Sequence, residues 1–188
     1  RLACAGGNHV AKQHAQYSGM TSCRAAHLEG GGGKGCAWGC LGLGECETAC
    51  TFGAIHMDDH NLPVVDMEKC TACGDCVTAC PRHLFSLHPV SHRLWVACMS
   101  QAKGDQAEAE CAVACTGCAL CAADAPEVVG IQNNLAVVDY SKNNMAAMTA
   151  IQRCPTGAIV WIDEQGRIVK GSNAKKISRR APLPVMWE

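Results

Sequence analysis

Cysteine is the residue type with the most potential chemistry in this chain, since 16 of its 188 residues are cysteines. Most of them lie two or three residues apart, too close along the chain to pair efficiently as disulfides across a fold. Thiols at such short spacings are typical metal ligands and indicate a reducing compartment. The sequence therefore predicts that the cysteines bind metal.

The most specific motif consists of four cysteines and a proline: Cys70, Cys73, Cys76, Cys80 and Pro81. This is the C-x2-C-x2-C-x3-C-P spacing of bacterial ferredoxins, in which the fourth cysteine binds the other cluster of a two-cluster protein. Structural zinc sites more often use paired C-x2-C hooks. The spacing therefore favours [4Fe-4S] clusters over zinc.

This crossover of the fourth cysteine predicts two ligand sets in the first half of the chain. One set is Cys50, Cys70, Cys73 and Cys76. The other contains Cys40, Cys46 and Cys80, with Leu43 at the position where a middle cysteine is expected. Cys36, four residues before Cys40, is the predicted replacement. The alternative left open is a [3Fe-4S] cluster with one corner unligated.

The cysteine pattern repeats at an offset of 75 residues. Cys40 and Cys46 correspond to Cys115 and Cys121, and Leu43 corresponds to a cysteine in the second copy. That copy predicts one complete ligand set: Cys115, Cys118, Cys121 and Cys154. Its other set is lost as a whole, because none of the four corresponding positions is a cysteine. The repeat thus predicts three [4Fe-4S] clusters.

Four cysteines stay outside these sets when Cys36 is counted as a ligand: Cys4, Cys23, Cys98 and Cys111. Because Cys23 and Cys98 also fit the offset of 75 residues, a fourth cluster held by these four thiols is one interpretation. The other is that they are small buried side chains near the clusters, as free cysteines in reduced proteins commonly are.

The elements that must position these ligands are short. Two β-hairpins are predicted from paired apolar runs, 54–57 with 62–65 and 128–131 with 135–138. A short helix is predicted after each Cys-Pro, at Pro81 and at Pro155, because proline suits a first helical turn. The predicted fold class is α+β: tandem ferredoxin modules of the bacterial two-cluster type, loop-rich, with short β-hairpins and short helices.

Four segments are expected along the chain. They are an N-terminal cysteine-containing segment (1–35), a first module with two clusters (36–97), a second module with one cluster and one lost (98–169), and a basic C-terminal tail (170–188). The glycine run 30–33 is predicted to be a flexible loop near a cluster, since its spacing differs from that of a phosphate loop. The tail is expected to be extended, and either disordered or docked on a partner.

Composition argues against several functions. The 16 Lys and Arg nearly balance the 17 Asp and Glu, which gives no general field to attract nucleic acid. No run of about 18 apolar residues predicts a membrane span, and no catalytic nucleophile with a paired base stands out. We therefore expect an electron carrier with neither a small-molecule substrate nor a catalytic site of its own.

Five stretches carry a pattern more specific than the ferredoxin motif: 3–7, 17–23, 35–46, 65–73 and 111–118. They cover most of positions 3–160, and the most specific feature is the Cys23 block joined to Cys36-x3-Cys40-x5-Cys46. Together they resemble the B subunit of the Rnf complex, the membrane-bound ferredoxin:NAD oxidoreductase of bacteria.

The resemblance implies a cytoplasmic head that accepts electrons from reduced ferredoxin and passes them to other redox subunits, which attach it to a membrane complex. The sequence departs from the family in lacking its N-terminal membrane helix, its first cysteine-rich domain and one cluster of the second module. A fragment, or a relative reassigned to another complex, is therefore expected. Two alternatives stay open: the cluster-bearing subunit of a soluble multisubunit oxidoreductase, and a structural metal-binding module.

Overall fold

The computed structural model describes residues 1–185, and its regular elements are short. The helices of this part are Cys23–Leu28 (α1), Glu45–Thr48 (α2), Asp75–Ala79 (α3), Asp105–Glu110 (α4), Leu120–Asp124 (α5) and Thr149–Gln152 (α6), with a 3-10 segment at Tyr140–Met145. The strands are Ile55–Met57 (β1), Pro63–Val65 (β2), Leu94–Val96 (β3), Val129–Gln132 (β4), Leu135–Val138 (β5), Ile159–Ile162 (β6) and Ile168–Val169 (β7). The loop-rich α+β fold is confirmed. Within this part, no helix is both long enough and apolar enough to cross a bilayer.

The chain folds as two compact units. The first contains Arg1–Leu87 together with the chain end from Arg179, and the second contains His88–Ser178. The expected segment 1–35 is part of the first unit, and the boundary expected after residue 97 lies ten residues earlier. The structure thus replaces the expected linear division of the chain.

Each unit begins with an extended segment that pairs with the chain after its Cys-Pro. In the first unit the backbone N–H of Ala3 donates to the carbonyl of Leu84 at 2.8 Å. In the second, the N–H of Ala97 donates to the carbonyl of Ala158, also at 2.8 Å, beside the antiparallel pair β3 and β6. The opening segment therefore belongs to the repeated unit.

Both predicted β-hairpins are present, since β1 pairs antiparallel with β2 and β4 with β5. Asn133 and Asn134 form the second turn with φ of 48° and 61°, the left-handed backbone that a two-residue type I′ turn requires. In the longer first loop, Asp58 Oδ1 accepts the backbone N–H groups of His60 (2.9 Å) and Leu62 (2.8 Å). Local turn chemistry thus determines both hairpins.

The helices predicted after Pro81 and Pro155 are wrong. The chain turns at both places and then extends. His83 and Gly157 have φ of 51° and 67°, left-handed conformations that interrupt a right-handed helix in its first turn. The short helices α3 and α6 end before these prolines instead.

Cysteines form part of the buried interior. In the first unit, Cys46, Ile55 and Phe85 make a buried cluster. Further partly buried cysteines pack against it: Cys50, Cys76 and Cys80. Because the chain has only two Phe and two Tyr, its stability depends strongly on what these sulfurs bind.

The predicted basic tail is extended but not detached. Residues 170–185 contain neither helix nor strand. The N–H of Asn173 donates to the carbonyl of Gln152 at 3.1 Å, and the N–H of Leu183 donates to the carbonyl of Asn8 at 2.9 Å. Positions 186–188 of the predicted tail lie outside the described residues.

Candidate iron-sulfur sites

Cysteine side chains line three separate hollows, which we call sites I, II and III. Site I is lined by Cys50, Cys70, Cys73 and Cys76. Site II is lined by Cys23, Cys40, Cys46 and Cys80. Site III is lined by Cys115, Cys118, Cys121 and Cys154. The sequence predicts the same groups for sites I and III, whereas site II contains Cys23 in place of Cys36.

Site I is built by a tight loop that leads into α3. Ala72 and Gly74 have φ of 58° and 89°, so the loop curls and presents cysteines from both sides. The sulfur of Cys50 comes from the other side of the hairpin and accepts the N–H of Ala54 at 3.3 Å. Cys70 and Cys73 are exposed, which makes this site the more open of the two in the first unit.

Site II draws its cysteines from four parts of the first unit. Cys46 lies in α2, and Cys80 follows α3 with its sulfur accepting the N–H of Leu84 at 3.4 Å. Cys23 is the first residue of α1. Apart from cysteines the lining is largely apolar, but it includes Arg82.

Cys36 is not among the residues that line site II. Its predicted role assumed that a spacing of four residues places its sulfur beside that of Cys40, as on a helix. Residues 36–40 form a turn instead. Because the helical periodicity of 3.6 residues does not apply to a turn, this spacing does not bring the two side chains to one face.

Site III repeats the plan within the second unit. Cys121 lies in α5, and Cys154 follows α6. The side chain of Arg153 forms a bidentate ion pair with Asp124, with Nε–Oδ2 at 2.8 Å and Nη2–Oδ1 at 2.6 Å. This pair connects the helix that carries one ligand to the residue that precedes another.

Two of the remaining cysteines occupy equivalent positions in the two units. The sulfur of Cys4 accepts the N–H of Cys40 at 3.3 Å, and the sulfur of Cys98 accepts the N–H of Cys115 at 3.3 Å. The offset of 75 residues pairs Cys23 with Cys98, but these hydrogen bonds pair Cys4 with it. In the set predicted for a fourth cluster, Cys4 and Cys23 belong to the first unit and Cys98 and Cys111 to the second.

Burial strongly affects the ionisation of the lining thiols. It raises the pKa of Cys40, Cys46 and Cys121 to about 12, with the charge of neighbouring cysteines adding to the effect. At neutral pH these thiols therefore stay protonated unless a cation stabilises the thiolate. Iron ligation supplies that stabilisation and releases the protons, so the donor set fits a metal cluster.

The spacing of the donors fits a polynuclear cluster better than a single ion. Among residues 1–185, no three His, Cys, Asp or Glu side chains are close enough to hold one metal ion. Tetrahedral zinc needs four ligands, each with a Zn–S distance of about 2.3 Å. Four sulfurs around a hollow leave room for several irons and sulfides between them.

Two cations near site II were missed by the sequence analysis. Arg82 Nη1 donates to the carbonyls of Cys36 (3.0 Å) and Gly39 (3.1 Å). Lys34 Nζ donates to the carbonyls of Gly6 (2.6 Å) and Cys40 (2.5 Å). The basic residue directly after Cys-Pro was the only available signal, and the second copy has Thr156 there.

Comparison with known proteins agrees with this chemistry. A family model described as a 4Fe-4S binding domain matches residues 62–85. The chain is 38% identical over 165 residues to the B subunit of the Na(+)-translocating ferredoxin:NAD(+) oxidoreductase complex of Acetobacterium woodii, which is 87% of this chain and 49% of that relative. It is 42% identical over 158 residues to the B subunit of the proton-translocating ferredoxin:NAD(+) oxidoreductase complex of Clostridium ljungdahlii, covering 83% and 56%.

A third relative is the B subunit of the ion-translocating oxidoreductase complex of Methanosarcina acetivorans, 37% identical over 157 residues, which cover 83% of this chain and 59% of the relative. The resemblance to the Rnf B subunit is confirmed. The chain spans about half to three fifths of the length of these relatives. Its similarity to them extends well beyond the ferredoxin motif, because it includes both units.

Proposed function

We propose that this chain is the electron-relay part of an Rnf-type B subunit, which takes electrons from reduced ferredoxin and passes them to other redox subunits of a membrane complex. The observation that carries the proposal is the division of twelve cysteines into three hollows with four each. A [4Fe-4S] cluster bound at each site would carry one electron at low potential, near the roughly −400 mV typical of ferredoxins.

The chain's own residues hold the sulfur atoms and adjust their charge. The N–H groups of Ala54 and Leu84 donate to Cys50 and Cys80. Hydrogen bonds to ligand sulfur stabilise the additional negative charge of a reduced cluster and so raise its potential. Backbone geometry at sites I and II therefore favours acceptance of an electron.

Exposure supports an order of transfer within the first unit. Cys70 and Cys73 of site I are exposed, whereas Cys46 of site II is buried. Phe85 lines both sites and is only 4% exposed, so it separates two neighbouring hollows. We infer that electrons from an external ferredoxin enter at site I and pass to site II.

The partners come from the names of the relatives: ferredoxin, and the other subunits of an ion-translocating complex, through which this chain would attach to a membrane. The alternative of a soluble oxidoreductase has narrower support. The chain is 39% identical to the thiosulfate reductase electron transfer subunit PhsB of Salmonella typhi, but over only 44 residues, 23% of each protein. A match of that length is expected between proteins that share only a ferredoxin motif.

The test is single-turnover oxidation of a reduced ferredoxin, mixed anaerobically with the reconstituted chain and followed by absorbance. We expect up to about three electrons per chain to leave the ferredoxin, one for each cluster. The metal-free chain is the control and should accept none. If dithionite reduces the chain but ferredoxin does not, the relay proposal fails.

A further inference from the structure

Leu43 poses a question about site II that the two units answer when they are superposed by their hydrogen bonds. Cys4 and Cys98 are equivalent, since each accepts the N–H of the first cysteine of its ligand group. Thirty-one residues separate Cys4 from Cys36, but only 12 separate Cys98 from Cys111. The first unit therefore carries an insertion, and this insertion contains a cysteine with no counterpart in the second unit.

That cysteine is Cys23, and the insertion folds so that it reaches site II. Ser22 caps α1 by accepting the N–H of Ala25 at 3.2 Å, and its hydroxyl donates to Glu45 Oε1 at 2.5 Å. Glu45 immediately precedes Cys46. One hydroxyl thus joins the residue before one lining cysteine to the residue before another.

The electrostatics of the hollow agree with this placement. After burial, the neighbouring thiols contribute most to the raised pKa values of Cys40 and Cys46, and Cys23 is among them in both cases. Cys23 is also among the residues that line the hollow. Leu43, which stands where site III has Cys118, is not a lining residue.

We propose that Cys23 is the fourth thiolate ligand of a [4Fe-4S] cluster at site II and replaces the ligand lost at position 43. The insertion delivers this ligand, and Ser22 and Glu45 are positioning residues. This inference rests on the proposed function, because it presumes that the hollows hold clusters. Cys36 then stays outside the ligand set, and site II holds four irons rather than three.

The test uses the full chain reconstituted anaerobically, with iron and sulfide analysis and EPR after oxidation. In Cys23→Ala we expect the signal of a three-iron cluster and a loss of about one iron per chain. The matched control, Cys36→Ala, should keep the full iron content and give no such signal. A three-iron signal in Cys36→Ala and none in Cys23→Ala would overturn the inference.

A second variant tests whether Cys23 serves in place of position 43. Adding Leu43→Cys to Cys23→Ala should restore the iron content and abolish the three-iron signal. Persistence of that signal in the double variant would contradict the replacement.

The unaltered chain provides a measurement that does not depend on the folding of any variant. Anaerobic alkylation of the cluster-loaded chain, read by mass spectrometry, should leave Cys23 unmodified, and modification of Cys23 would overturn its assignment. If the unaltered chain binds no iron, the proposed function fails; if it binds three clusters while Cys23 is alkylated, only this inference fails.

Discussion

Ser22 Oγ lies 2.5 Å from Glu45 Oε1 and links the beginning of α1 to the beginning of α2. These two helices carry Cys23 and Cys46, so the link fixes two sulfurs of site II relative to each other. A change at Ser22 therefore affects both the local helix and the cluster site.

Ser22→Ala should weaken the chain and release iron from site II first. The variant loses an N-cap hydroxyl, which costs about 1 kcal/mol, together with the bond to Glu45. We expect faster loss of iron to a chelator under anaerobic conditions, with site III unaffected. Ser22→Thr keeps the hydroxyl and is the control; equal rates for both variants would contradict the role of the hydrogen bond.

Arg82→Thr should make the site II cluster harder to reduce. The guanidinium lines the site, and a nearby positive charge stabilises the reduced cluster, which carries one more electron. For a half-buried charge worth about 1 kcal/mol, the potential should fall by roughly 40 mV in a potentiometric EPR titration. Arg93→Thr, which removes an exposed partner of Glu164 in the second unit, is the control. An equal shift in both variants would exclude a local effect of Arg82.

The two units show what sequence spacing could predict. The cysteine groups at sites I and III follow from spacing and from the crossover of the fourth cysteine, because the ligand loops are local. Both hairpins follow from apolar runs, and Asn133 and Asn134 favour the positive φ of the second turn. These features depend on residues close together in the sequence.

The features that sequence missed depend on long-range contacts or on single backbone angles. The offset of 75 residues aligned Cys23 with Cys98, and only the hydrogen bonds of Cys4 reveal the insertion between Cys4 and Cys36. The helices expected after each Cys-Pro fail because of left-handed φ at His83 and Gly157. A non-glycine left-handed residue such as His83 carries little sequence signal.

Gly33→Ala should destabilise the insertion more than Gly30→Ala. Both glycines have positive φ, 74° and 65°, so each substitution costs about 1–2 kcal/mol in backbone strain. At Gly33 a Cβ would also collide with the carbonyl oxygen of Ala15, whereas at Gly30 nothing lies within 4 Å.

Anaerobic thermal unfolding measures the difference. We expect a lower midpoint for Gly33→Ala than for Gly30→Ala, with earlier iron loss from site II because the next residue, Lys34, holds the carbonyl of Cys40. Equal midpoints would show that the close approach to Ala15 does not matter.

Phe85→Ala should damage sites I and II together. The ring is 4% exposed and lines both hollows, so truncation leaves a cavity that costs about 3–5 kcal/mol and admits water to both clusters. Oxygen should then bleach both clusters faster, while site III stays unchanged. Phe52→Ala is the control, since Phe52 is 51% exposed and lines site I only. Damage confined to one site in Phe85→Ala would refute a shared wall.

The central claim is that twelve cysteines hold three cubane clusters, and iron and sulfide analysis with EPR of the dithionite-reduced chain tests it most directly. We predict about twelve irons and about twelve sulfides per chain, with signals of interacting cubanes from sites I and II. About sixteen irons would mean that Cys4, Cys36, Cys98 and Cys111 also bind a cluster, and zinc in place of iron would contradict the electron-relay account altogether.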